Sequence, residues 1–97
     1  MIKVIVGYKV KNVWEIQPIL HKLRSLALQY QGFIGFESLQ SEQDKNTIVE
    51  ITTWDNAYSW DLWESSTLRK DLLREADGSL AEKPMVKIYR MVPTTPV

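Results

Sequence analysis

Thr53-Trp54-Asp55-Asn56-Ala57-Tyr58-Ser59-Trp60-Asp61-Leu62-Trp63-Glu64-Ser65-Ser66-Thr67-Leu68-Arg69 carries the chain from an alternating strand pattern into a helical one. Trp54, Trp60 and Trp63 fall within ten residues there. Tryptophan combines the largest apolar side chain with an N–H that needs a partner, so such a cluster either fills a core or lines a pocket. Upstream, Thr47 to Trp54 alternates with Ile48, Glu50, Thr52 and Trp54 on one side and Val49, Ile51 and Thr53 on the other, as a strand does. Downstream, Asp55 can cap a helix through Ala57, Trp60 and Trp63 or Glu64. Ser65 or Ser66 can cap a second helical piece through Leu68, Leu72 and Leu73 to about Ala76, ended by Asp77-Gly78.

The same reading extends outward. Phe33 to Gln40 forms another strand, joined to Thr47–Trp54 by a hairpin whose turn falls at Asp44 to Asn46. Val13, Ile16, Leu20, Leu23, Ala27 and Tyr30 recur in steps of three and four and predict a helix. Pro18 would cost about 3 kcal/mol inside a helix, so the regular part is expected to begin near Gln17 and to stop at Gly32. Ile2 to Lys9 is a β-branched strand, Met85 to Val92 a fourth, and 93–97 a tail kept irregular by two prolines. The order β-α-β-β-α-β predicts an α+β, ferredoxin-like fold with an antiparallel four-stranded sheet.

At 97 residues a single domain spanning 1–97 is expected, small enough for self-association to add useful burial. Twelve basic and twelve acidic residues cancel, which argues against nucleic acid and anionic membrane as partners. The absence of cysteine removes disulfides, thiolate metal sites and a cysteine nucleophile, and one histidine cannot build a multi-histidine metal site. No motif for a metal, flavin or other cofactor is present, and no apolar run approaches the roughly 20 residues of a membrane span. A soluble cytoplasmic protein is expected. Bulky residues on both faces of the third and fourth strands call for cover on both sides; helices cover one, and a second copy in a two-fold homodimer is the simplest cover for the other.

With these elements in place, the chain resembles the antibiotic biosynthesis monooxygenase domain family, small dimeric α+β barrels. The resemblance rests on Gly32-Phe33-Ile34 opening the second strand, Glu37 within it, Trp54 closing the third, and Trp60, Trp63, Ser65 and Arg69 beyond. It implies a cofactor-independent monooxygenase acting on a small aromatic or quinol-like compound, whose electron-rich anion itself reduces dioxygen. Trp63, nine positions after Trp54, stands where many relatives place a pocket-facing histidine or tryptophan. Haem-degrading relatives add an asparagine on the first strand and a histidine on the second helix; here those places hold Tyr8 and Leu73, which leaves no axial ligand. On this reading Trp63, Tyr8 and Arg69 are the catalytic candidates, and Trp60, Phe36, Trp54 and His21 the ligand contacts.

Structural roles stand beside these functional ones. Trp54 suits a plug at the sheet-to-helix corner, Trp60 and Trp63 suit core as well as pocket, and Trp14 suits packing or a dimer edge. His21 falls with Trp14, Arg24 and Leu28 on a face adjacent to the apolar stripe, where a surface histidine is ordinary. Arg69 and Lys70 could be surface charges paired with Asp71, Glu64 or Glu75. Glu37 and Glu50 lie inside strands; buried, either would have a raised pKa and could act as a base, whereas at an edge it would be solvated. A non-catalytic module binding a small apolar ligand, and a non-oxidative isomerase or decarboxylase, use the same fold.

Overall fold

The computed structural model describes residues 1–93; the last four residues of the expected proline-marked tail, 94–97, lie outside the described residues. The elements are β1 (Ile2–Lys9), α1 (Val13–Ala27), β2 (Phe33–Gln40), β3 (Thr47–Trp54), α2 (Ala57–Glu64), α3 (Thr67–Ala76) and β4 (Met85–Arg90), with a short 3₁₀ turn at Asp77–Ser79. The strands form one antiparallel sheet in the order β2-β3-β1-β4. This is the ferredoxin-like α+β arrangement, its second helical segment broken in two after Glu64.

The alternation of β1 and β3 decides which residues meet the helices. Ile2, Val4, Val6 and Tyr8 of β1 and Ile48, Glu50, Thr52 and Trp54 of β3 are buried on one face. Beneath them pack Ile16, Ile19, Leu20, Leu23 and Ala27 of α1 with Trp60, Trp63, Leu72 and Ala76 of α2 and α3. The opposite face carries Ile5, Val49 and Ile51, half-buried, with Met85 and Tyr89 exposed beside them on β4. Val86 and Ile88, on the helix side of β4, are also exposed, so this edge strand lacks cover on both faces.

Several boundaries differ from expectation. α1 begins at Val13, not Gln17, because the Asn12 side chain accepts a hydrogen bond from the Trp14 N–H and caps the first turn. Pro18 is tolerated inside the helix because it lies on the exposed side, where the unbonded carbonyl four residues back can meet water. The helix stops at Ala27, before Gly32. Gly32 instead has φ +90°, and a side chain there would come within 2.6 Å of Ser59 Cβ at the start of α2. Its carbonyl accepts from the Asp55 N–H at 2.7 Å. That bond ties the start of β2 to the corner after β3, and Asn56 rather than Asp55 caps α2 by accepting from the Ser59 N–H. Ser66 caps α3, accepting from the Arg69 N–H. β4 ends at Arg90, two residues short of the expected Val92.

Candidate functional site

The sheet-to-helix corner organises one side of a small cavity. Trp54, fully buried, donates its indole N–H to Thr52 Oγ1 at 2.8 Å. Phe33 meets it edge-on at 5.3 Å and Trp60 at 6.0 Å between ring centres, geometries that aromatic quadrupoles favour. Tyr30 holds Trp63 in the same way at 5.0 Å. The cavity, about 30 Å³, is walled by Val6 and Tyr8 of β1, Phe36 of β2, Glu50 and Thr52 of β3, Leu23, Arg24 and Ala27 of α1, and Trp60, Trp63 and Arg69.

The walls are polar at specific points. Arg69 is only 8 % exposed, and its guanidinium lies over the Trp60 ring at 5.2 Å. Three ion pairs form among the described residues and none involves Arg69: Asp71 pairs with Arg74, and Glu75 with Lys22. The surface-charge role is thus corrected by the α3 spacing, which puts Arg69 on the buried face with Leu72 and Ala76. Burial, the largest influence, weakens its hold on its proton, while Tyr8 and Glu64 oppose that shift. A guanidinium still stays charged under ordinary conditions. The Trp60 indole N–H is buried with no partner among the described residues. Such a donor costs about 1–3 kcal/mol unless something accepts from it.

Glu50, 5 % exposed, receives a hydrogen bond from Ser38 Oγ at 3.2 Å. Burial pushes its carboxyl up to about 7, against the Ser38 hydrogen bond and Arg24, which draw it down. Tyr8 is buried, and burial followed by the Glu50 charge lifts its phenol far above the ordinary range, with Arg69 opposing. At neutral pH Tyr8 is therefore a hydrogen-bond donor, Arg69 a cation, and Glu50 a group poised between acid and base.

Among the candidates from sequence, the fold brings Tyr8, Phe36, Trp60, Trp63 and Arg69 to this one cavity. Trp54 stands behind Trp60 and forms no part of the wall; its N–H is already satisfied within the core. His21 lies outside the cavity, in an adjoining cleft of about 110 Å³ that it shares with Gln17, Leu20, Arg24, Phe36, Ser38 and Glu50. Trp14 is 83 % exposed and packs in no core. Glu37 is exposed on β2, whereas Glu50, one of the two strand carboxylates, is the buried one. Its signal was its phase: it shares a strand face with Ile48, Thr52 and Trp54. Arg24, placed by sequence on the His21 face one step off the α1 stripe, was no site candidate; its guanidinium covers the Phe36 ring at 4.5 Å.

No group of three or more metal-binding side chains occurs among the described residues, and no helix there is long and apolar enough to cross a membrane. No curated protein sequence matches the chain. Solved structures do resemble it in fold. A conserved protein of Methanosarcina mazei Go1 is 22% identical with a TM-score of 0.84, over 92% of this chain and 90% of that one. An antibiotic biosynthesis monooxygenase is 18% identical with a TM-score of 0.84, over 96% and 100%. SnoaB, a cofactor-independent oxygenase from Streptomyces nogalater, is 11% identical with a TM-score of 0.84, over 99% and 97%. The sequence profile of one family, described as antibiotic biosynthesis monooxygenase, matches residues 1–75, and the chain belongs to that family.

Proposed function

We propose that the protein is a cofactor-independent monooxygenase of a small aromatic or quinol-like compound, acting as a homodimer packed through the open sheet faces. The observation that carries this reading is the meeting of aromatic walls with Tyr8 and a buried Arg69, which makes no ion pair among the described residues, in one cavity. Family membership and the fold likeness to SnoaB support it. The apolar residues Ile5, Val49, Ile51, Met85 and Tyr89 on the uncovered face support the dimer.

In this reading the ring lies against Trp60 and Trp63, and Tyr8 donates to its oxygen. Arg69 offsets the negative charge that develops as the anion forms, an electrostatic role strengthened by exclusion of water. The overall reaction of a phenol balances without another reductant. Dioxygen takes four electrons from the ring; one oxygen atom becomes a new carbonyl, and the other leaves as water with one ring hydrogen and the hydroxyl hydrogen.

Oxygen uptake by metal-free protein, with a panel of phenols, hydroquinones and anthrones, tests this directly. Uptake that falls at least tenfold in a folded Trp63→Ala variant is the expected result. Ligands that quench tryptophan fluorescence while no oxygen is consumed would instead make the protein a binding module. Turnover without oxygen would make it a non-oxidative enzyme. Light scattering at micromolar protein tests the dimer, and a mass near 11.3 kDa would sink it.

A further inference from the structure

We infer that Glu50 is the general base of this site, and that its substrate is a single-ring phenol entering through the cleft between α1 and β2. The inference rests on the reading of the cavity as a site for an aromatic compound, and names the residue that ionises it.

The space itself limits the ligand. A cavity of about 30 Å³ has room for water and not for a ring. The adjoining cleft of about 110 Å³ shares Arg24, Phe36 and Glu50 with it. Of the three shared residues Arg24 is the one on an exposed helix position, its guanidinium lying over the Phe36 ring at 4.5 Å where both spaces meet it. With Arg24 swung outward the two spaces join and approach the roughly 150 Å³ of a cavity known to take benzene. A fused tricyclic system exceeds that.

Glu50 lines both spaces, so it stands beside a ring oxygen whichever part the ring occupies. The groups around it come from every packed element: Tyr8 from β1, Ser38 from β2, His21 and Arg24 from α1, and Arg69 from α3. Among them Tyr8 is held in its phenol form, a guanidinium stays charged, and His21 lines the outer cleft without reaching the cavity, which leaves Glu50 as the proton acceptor that lines both spaces. The step is a plain transfer: the phenol O–H breaks, its proton goes to a Glu50 carboxylate oxygen, and the electron pair stays on the phenolate. Arg69 and the buried Trp60 N–H, which has no partner among the described residues, supply the positive end and the donor that a phenolate in the cavity requires. The Ser38 hydroxyl positions the carboxylate from the cleft side.

The test uses 4-nitrophenol under nitrogen, with proton exchange on binding read by calorimetry at pH 8 in buffers of different ionisation enthalpy. The wild-type protein is expected to take up close to one proton, because two anions become one hydrogen-bonded pair sharing a proton. Glu50→Gln is expected to bind the probe and take up none. In Ser38→Ala the uptake persists and its half-point moves to higher pH, since the lost hydrogen bond had favoured the ionised carboxylate. Equal uptake in Glu50→Gln, none in the wild type, or no binding by the wild type overturns the assignment. Should Glu50→Gln fail to fold, an unmoved half-point in Ser38→Ala overturns it. A tricyclic phenol that binds as tightly as 4-nitrophenol overturns the single-ring limit. With oxygen admitted and an electron-rich single-ring phenol such as 4-methoxyphenol in place of the nitrophenol, Glu50→Gln is expected to lose at least about 100-fold in kcat/KM. Proton uptake without oxygen consumption keeps Glu50 as the base and removes the oxygenase reading; oxygen consumption undiminished in Glu50→Gln does the reverse.

Discussion

The two faces of the sheet are built from the same strands by alternate residues, yet they live in different solvents. On the helix side Val4, Val6, Tyr8, Glu50 and Trp54 are buried within a single chain. On the other side Ile5, Val49 and Ile51, just as apolar as their neighbours, are left half-buried, with Met85 and Tyr89 exposed. Alternation therefore fixes which residues share a face but not what covers it. Stability within the chain comes from the helix side, and any contribution from the open side waits for another molecule.

The difference should be largest where the helix side is most tightly filled. Trp54→Ala removes a fully buried indole held between Phe33 and Trp60, and about 3–5 kcal/mol of unfolding free energy should go with it in urea titrations. A loss below about 1 kcal/mol would mean that the corner can collapse around the missing ring. Next comes the one carboxylate on this face. Folding raises the Glu50 pKa from 4.5 to about 7, so the folded state holds the proton more tightly than the unfolded chain does. Its contribution is fully present below about pH 4.5 and is lost as pH rises towards 7, with no further change above. At about 1.4 kcal/mol per unit, that loss is on the order of 3 kcal/mol. Glu50→Gln should lack it, so the variant should gain on the wild type by that amount between pH 4.5 and 8. Parallel stability curves across that window would show Glu50 to be hydrated, and the site more open than its burial indicates.

The same contrast marks what could be read from the sequence. Strand phase was legible: Ile2 to Lys9 and Thr47 to Trp54 have the expected limits, and Ser66 caps where a second helical piece was expected. Helix beginnings were less so, because they turn on which of several neighbouring polar side chains reaches back to an N–H. Asn12 outweighed the Pro18 argument, and Asn56 served where Asp55 was expected. Of the site, the aromatic part was visible as the tryptophan cluster. The charged part was named without its geometry: Arg69 came from the family resemblance and stood beside a surface-charge reading, and it turns inward through the break after Glu64 that restarts the helix at Ser66. Arg24 likewise becomes a wall only because Phe36 lies across from it in space.

That restart can be tested at smaller scale. The Ser66 side chain accepts from the Arg69 N–H and so fixes both the start of α3 and the direction of the residue that crosses Trp60. Ser66→Ala should cost about 1 kcal/mol of stability in urea titrations, the usual worth of such a cap. No measurable change would indicate that packing of Leu72 and Ala76 alone sets the helix.

The smallest effect on the fold itself belongs to the open face. Ile51 lies between Ile5 of β1 and Glu37 of β2 in the sheet register. A lysine there points away from the helices and faces the Glu37 carboxylate across the strand pair, a favourable arrangement on a wet surface. Within one chain Ile51→Lys should therefore change stability by no more than about 0.5 kcal/mol. In the proposed dimer the same charge would be trapped between two sheets, where an unpaired ammonium is costly. The expected outcome is a mass halved in light scattering, with thermal unfolding little changed when both proteins are compared at concentrations low enough to dissociate the wild type. An unchanged mass would move the interface away from the sheet face. A halved mass accompanied by collapse of the fold would mean that the monomer is not stable alone, and that the open face contributes to folding as much as the covered one does.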